Sequence, residues 1–266
     1  MNHSRAKILQ CLCRRQCYRF EWSRGYSLAP SGHSGRATTP SSRLSLIPGT
    51  MCDNRLWKAM LPVFAMRELI SHSIISKLGE DQNVPVDALG FSMGGYLALE
   101  LYCNNLDSNR QSNIRSLIII CSSARGLGPR ERVKRKHMLD LMANHNYAGI
   151  SPSRIARFVK PGLVDDPQVG GVIAAMDKDL GKNVLLAQFS STLDRENLMD
   201  RLSKIRVPVL IVGSEGDQMI NVNDLYMMHE RINGSKLVLF KDAGHMIPLE
   251  APELLASIVL EFISGH

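Results

Sequence analysis

The segment GFSMGGY, Gly90 to Tyr96, sets one serine among small residues in the pattern G-x-S-x-G. It follows the apolar run VDALG and precedes YLALELYCNN, a helical pattern. A serine on a strand-to-helix turn needs small neighbours, because its backbone is strained and adjacent elements approach closely; Gly90, Gly94 and Gly95 meet that need. Such a turn aims the Ser92 hydroxyl out of the sheet, above a helix amino terminus that favours developing negative charge.

A serine hydroxyl is a poor nucleophile until a base takes its proton, and the base needs an acid to hold its tautomer. Among the eight histidines, His245 in FKDAGHMIPLEAPE is the one placed just past the last expected strand and before the closing helix. A loop histidine there reaches the carboxyl edge of a sheet. The acid candidate is Asp217 in VPVLIVGSEGDQMI, just beyond the carboxyl end of the preceding strand. The order Ser92, Asp217, His245 is the one expected for a nucleophile elbow. Gly-Asp is also a common turn pair, and Glu215 and Asp224 are the alternative acids.

The elements that must hold these residues begin at Leu44, where short aliphatic runs start to alternate with longer amphipathic stretches, the rhythm of an α/β sheet. Strands are expected at Leu44 to Ile47, Val86 to Phe91, Ser116 to Cys121, Val207 to Val212 and Lys236 to Phe240. Their continuous apolar character suits parallel strands buried on both faces. Helices are expected at Met66 to Leu78, Met93 to Asn104, Asn223 to Ile232 and Pro252 to Ile263. Residues 122–203 interrupt the rhythm with a Met-containing, helix-forming stretch and read as an inserted helical cap, leaving 43–121 and 204–266 as the core. Met138, Leu139, Met142, Phe158 and Met176 are candidates to line a pocket beneath that cap, although such residues more often simply pack. The basic run RERVKRKH, Arg130 to His137, reads as a solvated helix face, since acids follow it and no aromatics interleave, with a site for an acidic substrate or partner as the alternative.

The formal net charge is +7, and its distribution decides what it means. Residues 1–52 carry eight Lys or Arg against the single acid Glu21, whereas residues 53–266 carry 24 of each sign. The charge therefore gives the body of the chain no polyanion-binding character, and nucleic acid is not an expected partner. Residues 1–42 are Arg-rich, Ser-rich and almost free of acids, the signature of a tail or linker, with an organellar transit peptide as the alternative to a cytoplasmic protein. No stretch approaches the roughly 20 apolar residues of a membrane-spanning helix. Six scattered cysteines imply reduced thiols rather than a disulfide framework, and CLCRRQC lacks the second paired cluster of a zinc site. Neither a metal nor a nucleotide motif is found, so no cofactor is expected.

Together GFSMGGY, LIPGTMCDNRLW, VPVLIVGSEGDQMI and DAGHMIPLEAPE resemble the α/β-hydrolase superfamily, over residues 44–264. Within it, the chain is similar to small bacterial-type carboxylesterases, enol-lactonases and carbon-carbon bond hydrolases, in which a helical cap separates two halves of a mostly parallel sheet. The resemblance implies a Ser92 nucleophile, a His245 base and an Asp217 orienter. It also implies an oxyanion hole from the backbone NH groups of Met93 and Thr50, the latter in an early loop that reads Pro48-Gly49 where such enzymes usually have His-Gly. Ser in place of Asp at the elbow argues against the dehalogenase and epoxide-hydrolase branches. One departure is visible: between Gly49 and Ser92 the usual strand and its following loop are not found, so one strand and helix there are expected to be shortened or missing and the sheet truncated if they are missing. The expected function is hydrolysis of a small ester, thioester or lactone through an acyl-enzyme. A catalytically weakened binding module and a lyase on the same scaffold are the alternatives.

Overall fold

A computed structural model describes residues 43–65, 70–71, 85–108 and 112–266. The basic segment 1–42 lies outside them. So does the expected helix at Met66 to Leu78, apart from Ile70 and Ser71.

The aliphatic runs form a parallel sheet of five strands of five to seven residues: β1 (Arg43–Ile47), β3 (Val86–Phe91), β4 (Ile114–Ile120), β5 (Val209–Ser214) and β6 (Lys236–Phe240). A two-residue strand, β2 (Ile70–Ser71), pairs parallel to β1 at the edge, giving the order β2-β1-β3-β4-β5-β6. This corrects one expectation, since Ile70 and Ser71 are strand rather than helix, and it shows that the element between Gly49 and Ser92 is shortened to two residues rather than missing. Two residues of pairing span less than one full inward-outward repeat, so no periodicity announces it.

Between the strands run α1 (Leu61–Ala65), α2 (Met93–Asp107), α3 (Pro129–Asn144), α4 (Pro152–Ile155), α5 (Gly170–Ser191) and α6 (Val222–Arg231), and after β6 come α7 (Ile247–Glu250) and α8 (Pro252–Ser264). Side chains of β3 to β5 alternate between two cores, as the period of two requires. Leu89, Phe91, Ile118, Ile120, Leu210 and Val212 face α8 and the early loop, packing with Trp57, Phe64, Leu255 and Val259. Ala88, Leu117, Ile119 and Ile211 face α2 and α6, packing with Tyr96, Leu99, Tyr102 and Met228.

Parallel pairing brings the carboxyl ends of all the strands to one edge. The chain leaves β1 toward β2 on one side and returns to β3 on the other, so the outgoing connections diverge between β1 and β3. In open α/β sheets that divergence creates the crevice where ligands bind. Helices α3, α4 and α5 occur between β4 and β5 and form a cap-like region over this edge. No helix among the described residues is long and apolar enough to cross a membrane.

Candidate active site

Ser92 occupies the turn between β3 and α2 with φ 51° and ψ −115°, a conformation that costs a non-glycine residue on the order of 1–3 kcal/mol. The surroundings impose it. The Ser92 NH donates to Ile120 O at 2.8 Å, and Ser92 O accepts from the NH groups of Gly95 and Tyr96 at 3.1 and 3.2 Å. The hydroxyl is not consumed as a helix cap and stays available for chemistry. A Cβ at Gly90 would lie 2.5 Å from Gly94 O, and one at Gly94 would overlap Ile47 O and lie 2.7 Å from Pro48 O. Thus the elbow is wedged directly against the loop leaving β1. Gly94→Ala is expected to push that loop away, lowering kcat/KM by about 100-fold or more, the scale of one lost oxyanion donor. Steady-state kinetics beside a denaturation curve would show whether activity falls further than stability.

His245 lies in the loop after β6, buried to 4% exposure. Its Nε2 is 3.1 Å from Ser92 Oγ, and its Nδ1 is 2.7 Å from Asp217 Oδ2. The other carboxylate oxygen, Oδ1, accepts from the NH groups of Met219 (2.7 Å) and Ile220 (3.0 Å), so the acid is fixed at both oxygens. The alternative acids are elsewhere: Glu215 is exposed, and Asp224 binds Arg125 Nε at 2.6 Å and Ser123 Oγ at 2.8 Å. The His245 ring packs against Phe91, with ring centroids 5.0 Å apart, and against Phe158, at 6.1 Å.

Several supporting residues carried no signal in the sequence by themselves. Ser214 Oγ donates to Ala243 O and accepts from Gly216 NH, lacing the Asp217 turn to the His245 loop. The NH groups of His245 and Met246 donate to Phe158 O of the cap, at 2.7 and 3.1 Å. Glu250 Oε2 accepts from the NH groups of Gly244 (2.9 Å) and Lys160 (2.8 Å), tying the same loop to the cap a second time. Burial pushes the Glu250 carboxyl above its ordinary pKa, and these donors offset only part of that. Glu250→Ala strands two amide donors. It is expected to destabilise the fold by about 2 to 4 kcal/mol in chemical denaturation, with Glu250→Gln milder because it keeps an acceptor.

Cys121 follows β4 with φ 45°. Burial first, then the nearby Asp217 carboxylate, pushes its thiol well above the ordinary range, so it remains S–H. The Cys121, Asp217 and His245 donor atoms lie within 4.8 Å of one another, the spacing of a metal trio. Here Asp217 and His245 are already joined by a hydrogen bond, and no cation is assigned to the three.

Thr50 and Met93 face each other across the elbow, with Thr50 Oγ1 3.6 Å from Met93 Sδ, and both border the cavity beside Ser92. Among the described residues, neither backbone NH has an acceptor. The β1 loop is held from above, since Met51 NH donates to Gln188 Oε1 of α5 at 2.9 Å. The cavity, about 480 Å³, runs from Ser92 and His245 into the cap. Met138, Met142, Phe158 and Met176 line it, as the sequence suggests, whereas Leu139 does not. The run RERVKRKH is mostly exposed on α3, but Glu131 and Arg135 turn into the cavity instead of facing solvent alone.

The Ser92-His245-Asp217 network at a nucleophile elbow has the connectivity of a catalytic triad for ester or lactone hydrolysis. The chain is 28% identical over 190 residues to pimeloyl-(acyl-carrier protein) methyl ester esterase of Neisseria meningitidis, covering 69% of this chain and 70% of that protein. It shares a fold with a hydrolase from Pseudomonas aeruginosa (TM-score 0.71, 20% identity, 85% and 91% of the two chains). A thermophilic esterase from Thermogutta terrifontis superposes equally well (TM-score 0.71, 19% identity, 86% and 91%). The Alpha/beta hydrolase family matches residues 6–258, nearly the whole length, and the chain belongs to that family.

Proposed function

We propose that the protein is a serine hydrolase that cleaves a small carboxylic ester, thioester or lactone without a cofactor. The observation that carries this reading is the continuous relay of Ser92 Oγ, His245 and Asp217, joined at 3.1 and 2.7 Å and opening into a cavity sized for a small organic substrate.

In the first step Ser92 Oγ bonds to the carbonyl carbon while His245 Nε2 accepts the hydroxyl proton. Asp217 holds the ring with Nδ1 protonated and stabilises the imidazolium that forms. The carbonyl oxygen becomes an oxyanion, for which the NH groups of Met93 and Thr50, with the amino terminus of α2, are the available donors. Collapse expels the alcohol or thiol, which takes the proton from His245. Water then attacks the acyl-serine, giving up a proton to His245, and the acid leaves as Ser92 regains its hydrogen.

Labelling with a serine-directed fluorophosphonate tests the assignment. The native chain is expected to label and Ser92→Ala is not. Equal labelling of the two would remove Ser92 from the nucleophile role, and a folded native chain that neither labels nor hydrolyses p-nitrophenyl esters would point to a binding module.

A further inference from the structure

The cavity carries polar groups that the triad chemistry does not use. Arg135 of α3 and Arg195, just after α5, both border it. Arg195 stacks its guanidinium 5.1 Å from the centre of the Tyr96 ring, one turn along α2 from Ser92. It makes no ion pair among the described residues, and its Nε is shut off from solvent without a hydrogen-bond partner. Arg135 stacks 5.2 Å from the centre of the Phe189 ring and donates to Thr192 Oγ1 at 3.1 Å. Its nearest carboxylate, Glu131, is 3.4 Å away and more than half exposed, a weakly held partner. Burial, then the charge of Arg195, lowers the Arg135 pKa, so the two cations sense each other in a poorly solvated place.

Two guanidiniums drawn together in a mostly apolar cavity repel and leave donors unmet. The cavity's acids answer them only in part: Glu131 acts on both arginines but is more than half exposed, and Asp177 already accepts from Tyr147 OH at 2.6 Å and Ile150 NH at 2.8 Å. A partly buried guanidinium with an unmet donor is costly in the empty site and favourable once a planar oxyanion meets it. The cavity's lining is largely apolar, with Met138, Met142, Leu185 and Phe189 among it.

We propose that Arg135 and Arg195 form an anion-binding subsite, so that the substrate is an ester that also carries a carboxylate or phosphate. This rests on the hydrolase reading of the same cavity and adds the charge of the substrate. Monomethyl esters of linear dicarboxylic acids present the anion, and their dimethyl counterparts lack it. The native enzyme is expected to favour the monoesters in kcat/KM by about ten- to a hundredfold, the range of a charge-assisted hydrogen bond pair. Arg195→Gln and Arg135→Gln are each expected to shrink that ratio at least fivefold, by order-of-magnitude reckoning, while Lys241→Gln, which removes an exposed charge, preserves it. Phosphate-ended esters of matched length show which oxyanion fits: a preference confined to them still supports the subsite and assigns phosphate. Equal rates for charged and neutral esters in both series, or a ratio that survives both arginine replacements, overturns it. Calorimetric binding of the same esters to Ser92→Ala separates the two readings. Anion-selective binding without turnover in the native chain refutes the hydrolase and keeps the subsite, whereas turnover without anion selectivity does the reverse.

Discussion

Ser92→Ala is expected to lower kcat by about five to six orders of magnitude toward any ester the native chain hydrolyses, leaving only what binding and the oxyanion donors supply. Removing Oγ deletes the atom that forms the new bond, and no other hydroxyl stands 3.1 Å from His245 Nε2 among the described residues. The fold should tolerate the change. Alanine keeps the same Cβ, so the cost of φ 51° is unaltered, and Ser92 Oγ gives no capping bond whose loss would loosen α2. Stability should move by less than about 1 kcal/mol in chemical denaturation. A variant retaining more than about one percent of native kcat would exclude Ser92 as the nucleophile, since residual catalysis without the attacking atom is far smaller.

Asp217→Asn is expected to cost about four orders of magnitude in kcat with little structural change, for a reason visible in the hydrogen bonds. Oδ1 is fixed as an acceptor by the NH groups of Met219 and Ile220. An asparagine must keep its carbonyl oxygen there, which turns its NH2 toward His245 Nδ1. The imidazole then accepts at Nδ1 and carries its proton on Nε2, facing Ser92 Oγ with a donor where an acceptor is required. Circular dichroism and a denaturation curve matching the native protein would show that geometry survives. Loss of less than tenfold would mean that another group orients His245. Asp224, already bonded to Arg125 and Ser123, is poorly placed to substitute.

The strands and helices were readable where hydrophobic periodicity is long and ends are marked. Val86 to Phe91 and Lys236 to Phe240 agree residue for residue with the expected strands, and the expected helix starts at Met93 and Pro252 also hold. Ile70 and Ser71 were misassigned because a helical stretch of apolar residues and a two-residue edge strand share the same letters, and pairing with β1 is the deciding contact. Arg135 shows the same limit. A basic run on an exposed helix reads as a solvated face, and only the approach of α5, bringing Phe189 and Thr192, turns one of its arginines inward.

The sequence alone determined the chemistry available to this protein: the small residues around Ser92, a loop histidine after the last strand and an aspartate after the strand before it admit one order of nucleophile, acid and base. Those are local properties, set by which side chains a turn tolerates and where strands must end. The tertiary structure decided which groups act together. Asp217 rather than Glu215 or Asp224 meets His245 because Ser214 and Ala243 lace two loops at the sheet edge. The loop of Thr50 meets the elbow because β1 pairs with β3 where the outgoing connections diverge. The two arginines meet over an apolar cavity because the cap folds back upon the sheet. Each of these juxtapositions joins residues tens of positions apart, and no local pattern encodes them because they exist only after the apolar faces have been buried.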